Sequence, residues 1–132
     1  MAASATARAF NSLGAFKYVM GPAGQGQQWH HIVEQTSRNV ERFGGQAIHN
    51  TNNIVRLPTE VHQKISAYYS SKQAFTGGQT VREWLSRQSF QDQKPFGQRI
   101  MQQFQERAQQ QGTEDALKKM GEMEHGLNIK PF

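Results

Sequence analysis

Apolar positions along the chain fall into short runs divided by glycine, proline and polar clusters, and their spacing reads as strand-like near residue 30 and helical beyond residue 58. Residues 1–10 are Ala-rich with Arg8 and suggest a short or frayed helix. Residues 11–20 set Phe16, Tyr18 and Val19 in loose alternation, as a segment that packs on the core. Gly21-Pro22-Ala23-Gly24-Gln25-Gly26 breaks regular structure and reads as a flexible lead-in. The apolar run over 29–33 suits a short strand, 36–43 a helical turn, Gly44-Gly45 a chain reversal and Ile54-Val55-Arg56-Leu57 a second strand. Pro58-Thr59 announces a helix with Thr59 as its N-cap. On it, Val61, Ile65 and Tyr68 mark the buried face, and His62, Ser66 and Tyr69 share the adjacent one.

Further on, Thr80-Val81-Arg82-Glu83 has the form of a capping box, and Val81, Trp84 and Leu85 supply an apolar stripe behind it. Lys94-Pro95 is expected to interrupt the chain before a third helix, on which Phe96, Ile100, Phe104 and Ala108 recur at four-residue intervals. Residues 113–120 add a short helix, and from Gly121 the chain reads as a polar tail in which His125 is solvated. The sum is an α+β domain, mostly helical, with a short two-stranded ribbon. A hairpin and one helix bury too little to stand alone, so the helices after residue 80 are expected to brace them.

Composition narrows the class. With 132 residues, 36% of them hydrophobic, there is material for one domain with an economical core. A net charge of +5 favours an acidic partner, most commonly nucleic acid. No cysteine is present, which removes disulfides and thiol chemistry. The N-terminus lacks the charged start and apolar run of a signal peptide, and no stretch is apolar enough to span a bilayer. No membrane partner is expected, and export would require carriage by a larger chain.

Candidate chemistry concentrates in residues 29–69. A doublet, His30-His31, lies in Gln28-Trp29-His30-His31-Ile32-Val33-Glu34-Gln35; Asn53 lies in Asn50-Thr51-Asn52-Asn53-Ile54-Val55; His62 follows on the helix. Hydrolysing a phosphodiester requires a nucleophile made from water and a cation that takes up charge on the phosphorane and the leaving oxygen. An imidazole nitrogen bound to a metal cannot also accept a proton, so ligand and base must be different groups, and a doublet on a strand supplies one to each side. A histidine with a pKa near 6.5 is mostly unprotonated at neutral pH and able to act as base. Adjacent histidines also occur in structural zinc sites, but those usually take four protein ligands, often Cys. The Gly-rich run at 21–26 is not followed by Lys-Ser/Thr, which excludes a nucleotide P-loop.

The order His-His, Asn, His resembles the HNH, or ββα-metal, nucleases of the endonuclease VII superfamily, and most closely the Trp-His-His toxin domains of Rhs and related polymorphic toxins. In nuclease colicins and in the HNH domain of RNA-guided nucleases, the helix ligand follows the Asn at the spacing from Asn53 to His62. The resemblance implies a lead-in over 1–28, a ββα-metal core over 29–72, bracing helices over 79–120 and a tail over 121–132. It implies that His30 and His62 hold one divalent metal (Mg, Zn or Ni), that His31 is the catalytic base, and that Asn53 bonds backbone across the loop to aim it. Ser66 stands where colicins carry a further helix histidine, so water and substrate phosphate would complete the shell. Arg38, Arg42, His49 and Ser66 are the candidate substrate contacts, His49 being equally readable as structural. The implied protein is a metal-dependent, largely sequence-nonspecific DNA endonuclease, a toxin delivered into the cytoplasm of target bacteria by a parent Rhs or type VI secretion chain. A cognate acidic immunity protein would restrain it. An RNase on the same fold, and a noncatalytic nucleic-acid-binding module with a structural metal, remain open.

Overall fold

In the computed structural model, which describes residues 6–126, the chain is α+β, with helices around a two-stranded antiparallel sheet. β1 (Gln27–His31) pairs with β2 (Ile54–Pro58), Gln27 lying opposite Pro58 and His31 opposite Ile54. α4 (Thr59–Tyr69) follows β2 without a loop. Its start differs from the expectation: Pro58 occupies the cap position without a side-chain bond, and Thr59 is already helical. The Thr59 N–H donates to Gly26 O at 3.0 Å, so strand pairing does the work a side-chain cap would do. Val61, Ile65 and Tyr69, four residues apart, form the buried stripe, while Tyr68 is half-buried against Phe104.

The N-terminal segment corrects two expectations. Residues 8–10 are extended, not helical, because Phe10 N donates to His49 O (2.8 Å) and Thr51 N donates to Arg8 O (3.0 Å), fixing the segment against 49–51; the remainder of the expected Ala-rich helix, residues 1–5, lies outside the described residues. What reads as loose alternation over 11–20 is α1 (Leu13–Met20), started by Ser12, whose hydroxyl accepts from Ala15 N. Only Phe16 of the expected packing residues is buried; Tyr18 is 90% exposed and Val19 is exposed as well. α2 (Ser37–Phe43) is capped in the same way by Thr36, and α3 (Gly45–Ile48) follows at once.

A 3₁₀ turn at Ala74–Thr76 leads to α5 (Val81–Leu85). Thr80 caps α5 by accepting from Glu83 N, but the Glu83 carboxylate returns to the Thr80 hydroxyl and not to its backbone. The largest correction is α6 (Phe90–Gly126), one helix of 37 residues that runs through Pro95 and through the expected break and tail. Ser89 starts it by accepting from Asp92 N. Pro95 forfeits one N–H bond in the second turn, yet Gln93, Gly97 and Ile100 on either side of it are buried, and that packing outweighs the loss. Residues 127–132 and the side chain of His125 lie outside the described residues. The core joins Leu57, Val61, Ile65 and Tyr69 to Val81, Leu85 and Ile100, with Phe96 and Phe104 against them, so α5 and α6 pack against β2 and α4.

Gly97 is where α6 meets the chain just beyond β1. A Cβ there would fall inside contact distance of the Ile32 carbonyl oxygen and 3.0 Å from Ile32 Cγ2. Gly97→Ala should therefore cost about 1–3 kcal/mol, the usual scale of overpacking, and a urea titration reads it. An unchanged midpoint would show that α6 is not seated on Ile32.

Candidate active site

The alternation of side chains along β1 separates the doublet. His30 turns toward α4, its ring 5.3 Å from that of His62 at 80°; His31 turns toward the end of α3, its ring 5.2 Å from that of His49 at 82°. Both doublet rings are buried, 5% exposed each. They open on a cleft of about 810 Å³ bounded by the Gly21–Gly26 loop, the last turn of α1, β1 and α4. Three glycines of that loop take positive φ (Gly21 80°, Gly24 105°, Gly26 72°), so the loop is a built wall that larger residues would strain and not merely a flexible lead-in. Trp29 fastens it through Nε1 to Gly21 O (3.1 Å), and Arg56, stacked 4.4 Å over the Trp29 ring, donates to Ala23 O.

His30 Nε2 is buried and has no hydrogen-bond partner. A sealed, unpaired imidazole nitrogen is costly and calls for an ion or a water. An imidazole nitrogen binds such an ion at roughly 2.1 Å, and two rings bound tetrahedrally then have centroids roughly 5 Å apart, which the His30–His62 separation of 5.3 Å matches. Those two residues fit a divalent cation. Among the described residues no group of three His, Cys, Asp or Glu is placed to hold one. Ser66 is exposed and lines the cleft, one turn beyond His62.

Asn53 is fully buried, and its amide bonds backbone on two sides. Oδ1 accepts from Val33 N (2.9 Å), while Nδ2 donates to Val33 O (3.0 Å) and Ile48 O (2.9 Å). His31 Nε2 lies 3.1 Å from His49 Nδ1. His49 is thus spent on His31 and is absent from the cleft lining. Arg38 and Arg42 also lie away from the cleft. Arg42 donates to the carbonyls of Ser86 and Gln88 and stacks over Phe43, so its guanidinium joins α2 to the chain after α5.

Two cleft residues, Lys17 and Glu34, carried no sequence signal. Lys17, exposed in the last turn of α1, is the cleft's lysine. Glu34 lines it too, clasped by Arg82 with Nε at 3.0 Å from Oε2 and Nη2 at 2.9 Å. Their separation of 48 residues leaves nothing for spacing to reveal. Tyr69, expected on the metal-facing side, is both a core and a cleft residue, and its hydroxyl is buried without a partner. Burial, then the nearby Glu34 carboxylate, raises its pKa, which keeps the hydroxyl a donor.

Burial lowers the pKa of His30 to about 4, with the His62 charge adding to it. Burial likewise brings His31 to about 3, assisted by His49, His30, His62 and Lys17. His49 and His62 are lowered by burial, and Glu34 is raised by burial against the opposing pull of Arg82. At neutral pH the site is a set of unprotonated imidazoles. No family model, curated protein or solved structure matches the chain.

The depressed pKa values have a stability consequence. Below pH 6.5 the unfolded chain binds protons at His30 and His31 that the folded chain refuses, until pH falls to about 4 and about 3. Stability present above the unfolded value is therefore lost through that window. Chelator-treated protein should have a lower urea midpoint at about pH 5 than at about pH 7.5; equal midpoints would mean that the two rings are hydrated in the folded chain.

Proposed function

We propose that the chain is a metal-dependent endonuclease of the ββα-metal type that hydrolyses phosphodiester bonds in DNA. The observation that carries the reading is the partnerless Nε2 of His30, whose ring lies 5.3 Å from that of His62 at the strand–helix junction, with His31 turned to the other side of the same strand end. A divalent cation held by His30 and His62 supplies the positive charge that lowers the barrier at a phosphodiester. His31, kept unprotonated by burial, accepts the proton of the attacking water as the new P–O bond forms and the bond to the leaving oxygen breaks. Lys17 lines the cleft and presents a donor to phosphate oxygens.

A noncatalytic module with a structural metal is less well supported. Two imidazoles fall short of the four protein ligands such sites use, and among the described residues no histidine belongs to the main hydrophobic cluster. The toxin role rests on the Trp29-His30-His31 signature: the domain acts in the cytoplasm of target bacteria, reaches them on a larger Rhs-type chain, and is held in check by an acidic immunity protein.

Incubating purified protein with plasmid and with RNA across Mg, Zn and Ni tests the activity and decides between the two substrates. His31→Ala should keep cation affinity and lose cleavage by roughly two to four orders of magnitude, the scale of a general base. His62→Ala should lose cation affinity and regain some activity in excess metal. Should His31→Ala lose the cation while His30→Ala retains it, the roles within the doublet are reversed.

Inside bacteria, the wild-type domain should fragment the chromosome and arrest growth while His31→Ala does neither. Equal arrest by both would point to a different activity.

A further inference from the structure

His49, paired with His31, is the buried imidazole that the proposed hydrolysis leaves unused. His49 ends α3 with its backbone held at both groups: its N–H donates to Gly45 O (2.7 Å) and its carbonyl accepts from Phe10 N (2.8 Å). Its side chain is buried, the residue being 6% exposed, and Nδ1 points at His31 Nε2 across 3.1 Å. Two imidazole nitrogens at that distance share one hydrogen, and there are two ways to place it. With the hydrogen on His31 Nε2, Nδ1 of His31 keeps a free lone pair. With the hydrogen on His49 Nδ1, His31 must carry its own proton on Nδ1, and the nitrogen left to face water is blocked. His31 Nδ1 has no hydrogen-bond partner among the described residues and, unlike His30 Nε2, is not sealed from solvent. It is the nitrogen available to a water in the cleft that His31 lines.

We propose that His49 is a positioning residue for the base: its Nδ1 accepts the His31 Nε2–H and so fixes both the orientation and the tautomer of His31, leaving Nδ1 of His31 free to take the proton from water. The inference deepens the endonuclease reading and rests on it for the word base. It also makes a statement about hydrogen placement that stands apart from activity. A ring flip of His31 would replace the bonded nitrogen by a carbon and strand the His49 acceptor, so the bond selects one of two otherwise similar ring orientations. The clamped backbone of His49 is what makes the selection rigid.

The test uses the full chain with Mg²⁺ and three proteins: wild type, His49→Leu and His49→Asn. Leucine fills the space without an acceptor, whereas the asparagine Oδ1 restores an acceptor near the place of Nδ1. His49→Leu should lower kcat on plasmid by about 10- to 100-fold, the usual effect of removing a partner of this kind, with KM and Mg²⁺ affinity unchanged. His49→Asn should recover most of the loss. Imidazole nitrogen NMR of the wild type should show His31 protonated at Nε2 and bare at Nδ1. A folded His49→Leu with wild-type kcat, a folded His49→Asn no better than His49→Leu, or a His31 protonated at Nδ1 would each overturn the inference. If both variants fail to fold, the wild-type spectrum alone decides it. A wild type that cleaves neither plasmid nor RNA removes the endonuclease reading instead, and the spectrum still reports whether His49 is the acceptor.

Discussion

The site depends on one buried amide. β1 and β2 stop pairing as a ladder at His31 opposite Ile54, and one more backbone bond, Ile32 N to Asn53 O at 2.8 Å, extends the contact. From there the Asn53 side chain takes over, presenting an acceptor and a donor to Val33 as a further strand residue would. Its second donor goes to Ile48, the last residue of α3. Val33 is two residues past His31 and Ile48 one before His49, so the same amide sets the distance between the two imidazoles. An aspartate could not substitute, because it would turn acceptors toward two carbonyl oxygens where Asn53 presents N–H. The cost of leaving such groups unpaired, about 1–3 kcal/mol each, explains why the side chain is bonded at both ends.

α6 secures that arrangement from outside. Gln93 and Asn39 exchange amide bonds at 3.1 Å in each direction, tying the start of α6 to α2. Lys94 donates to the Asn52 carbonyl and reaches Asn53 Oδ1, and Gly97 lets the helix settle onto Ile32. Arg82 of α5 holds Glu34, three residues past His31. The segment leaving the doublet is therefore gripped by two helices. Beyond Ala108, α6 is exposed at nearly every position, including Leu117 and Met120, and adds nothing to the core.

What could be read from the chain was what local chemistry determines. The strands appeared as apolar runs, α4 and the packed part of α6 as four-residue periodicity, and α5 through the Thr80 cap. Position in a helix was less legible: the stripe on α4 runs through Tyr69 and not Tyr68, a difference of one residue that only the packed core settles. Pro95 misled because propensity is local, whereas Phe96 and Ile100 are anchored by tertiary contacts on its far side. Residues 8–10 carry helix-compatible composition, but their backbone groups find partners at 49–51, about 40 residues away. The same limit hid the working partners of the site. The doublet, Asn53 and His62 stand out by residue type and order, but the pairing of His31 with His49 and of Glu34 with Arg82 exists only in three dimensions.

The charge arrangement bears on how such a cleft would treat phosphate. Its imidazoles are neutral because burial strips their protons, and its carboxylate, Glu34, is matched by Arg82. An isolated Glu34 would repel an anion in a partly dehydrated cleft, where charges interact more strongly than in water; clasped by a guanidinium it presents almost no net field. Lys17 is then left as the uncompensated cleft cation, exposed at the mouth and well placed to attract a phosphate but too far from sealed surroundings to stabilise a transition state by itself. Neutral imidazoles cannot supply the missing positive charge. On the endonuclease reading it has to arrive with the cation at His30 and His62, whose lowered pKa values leave both rings free to ligate at neutral pH.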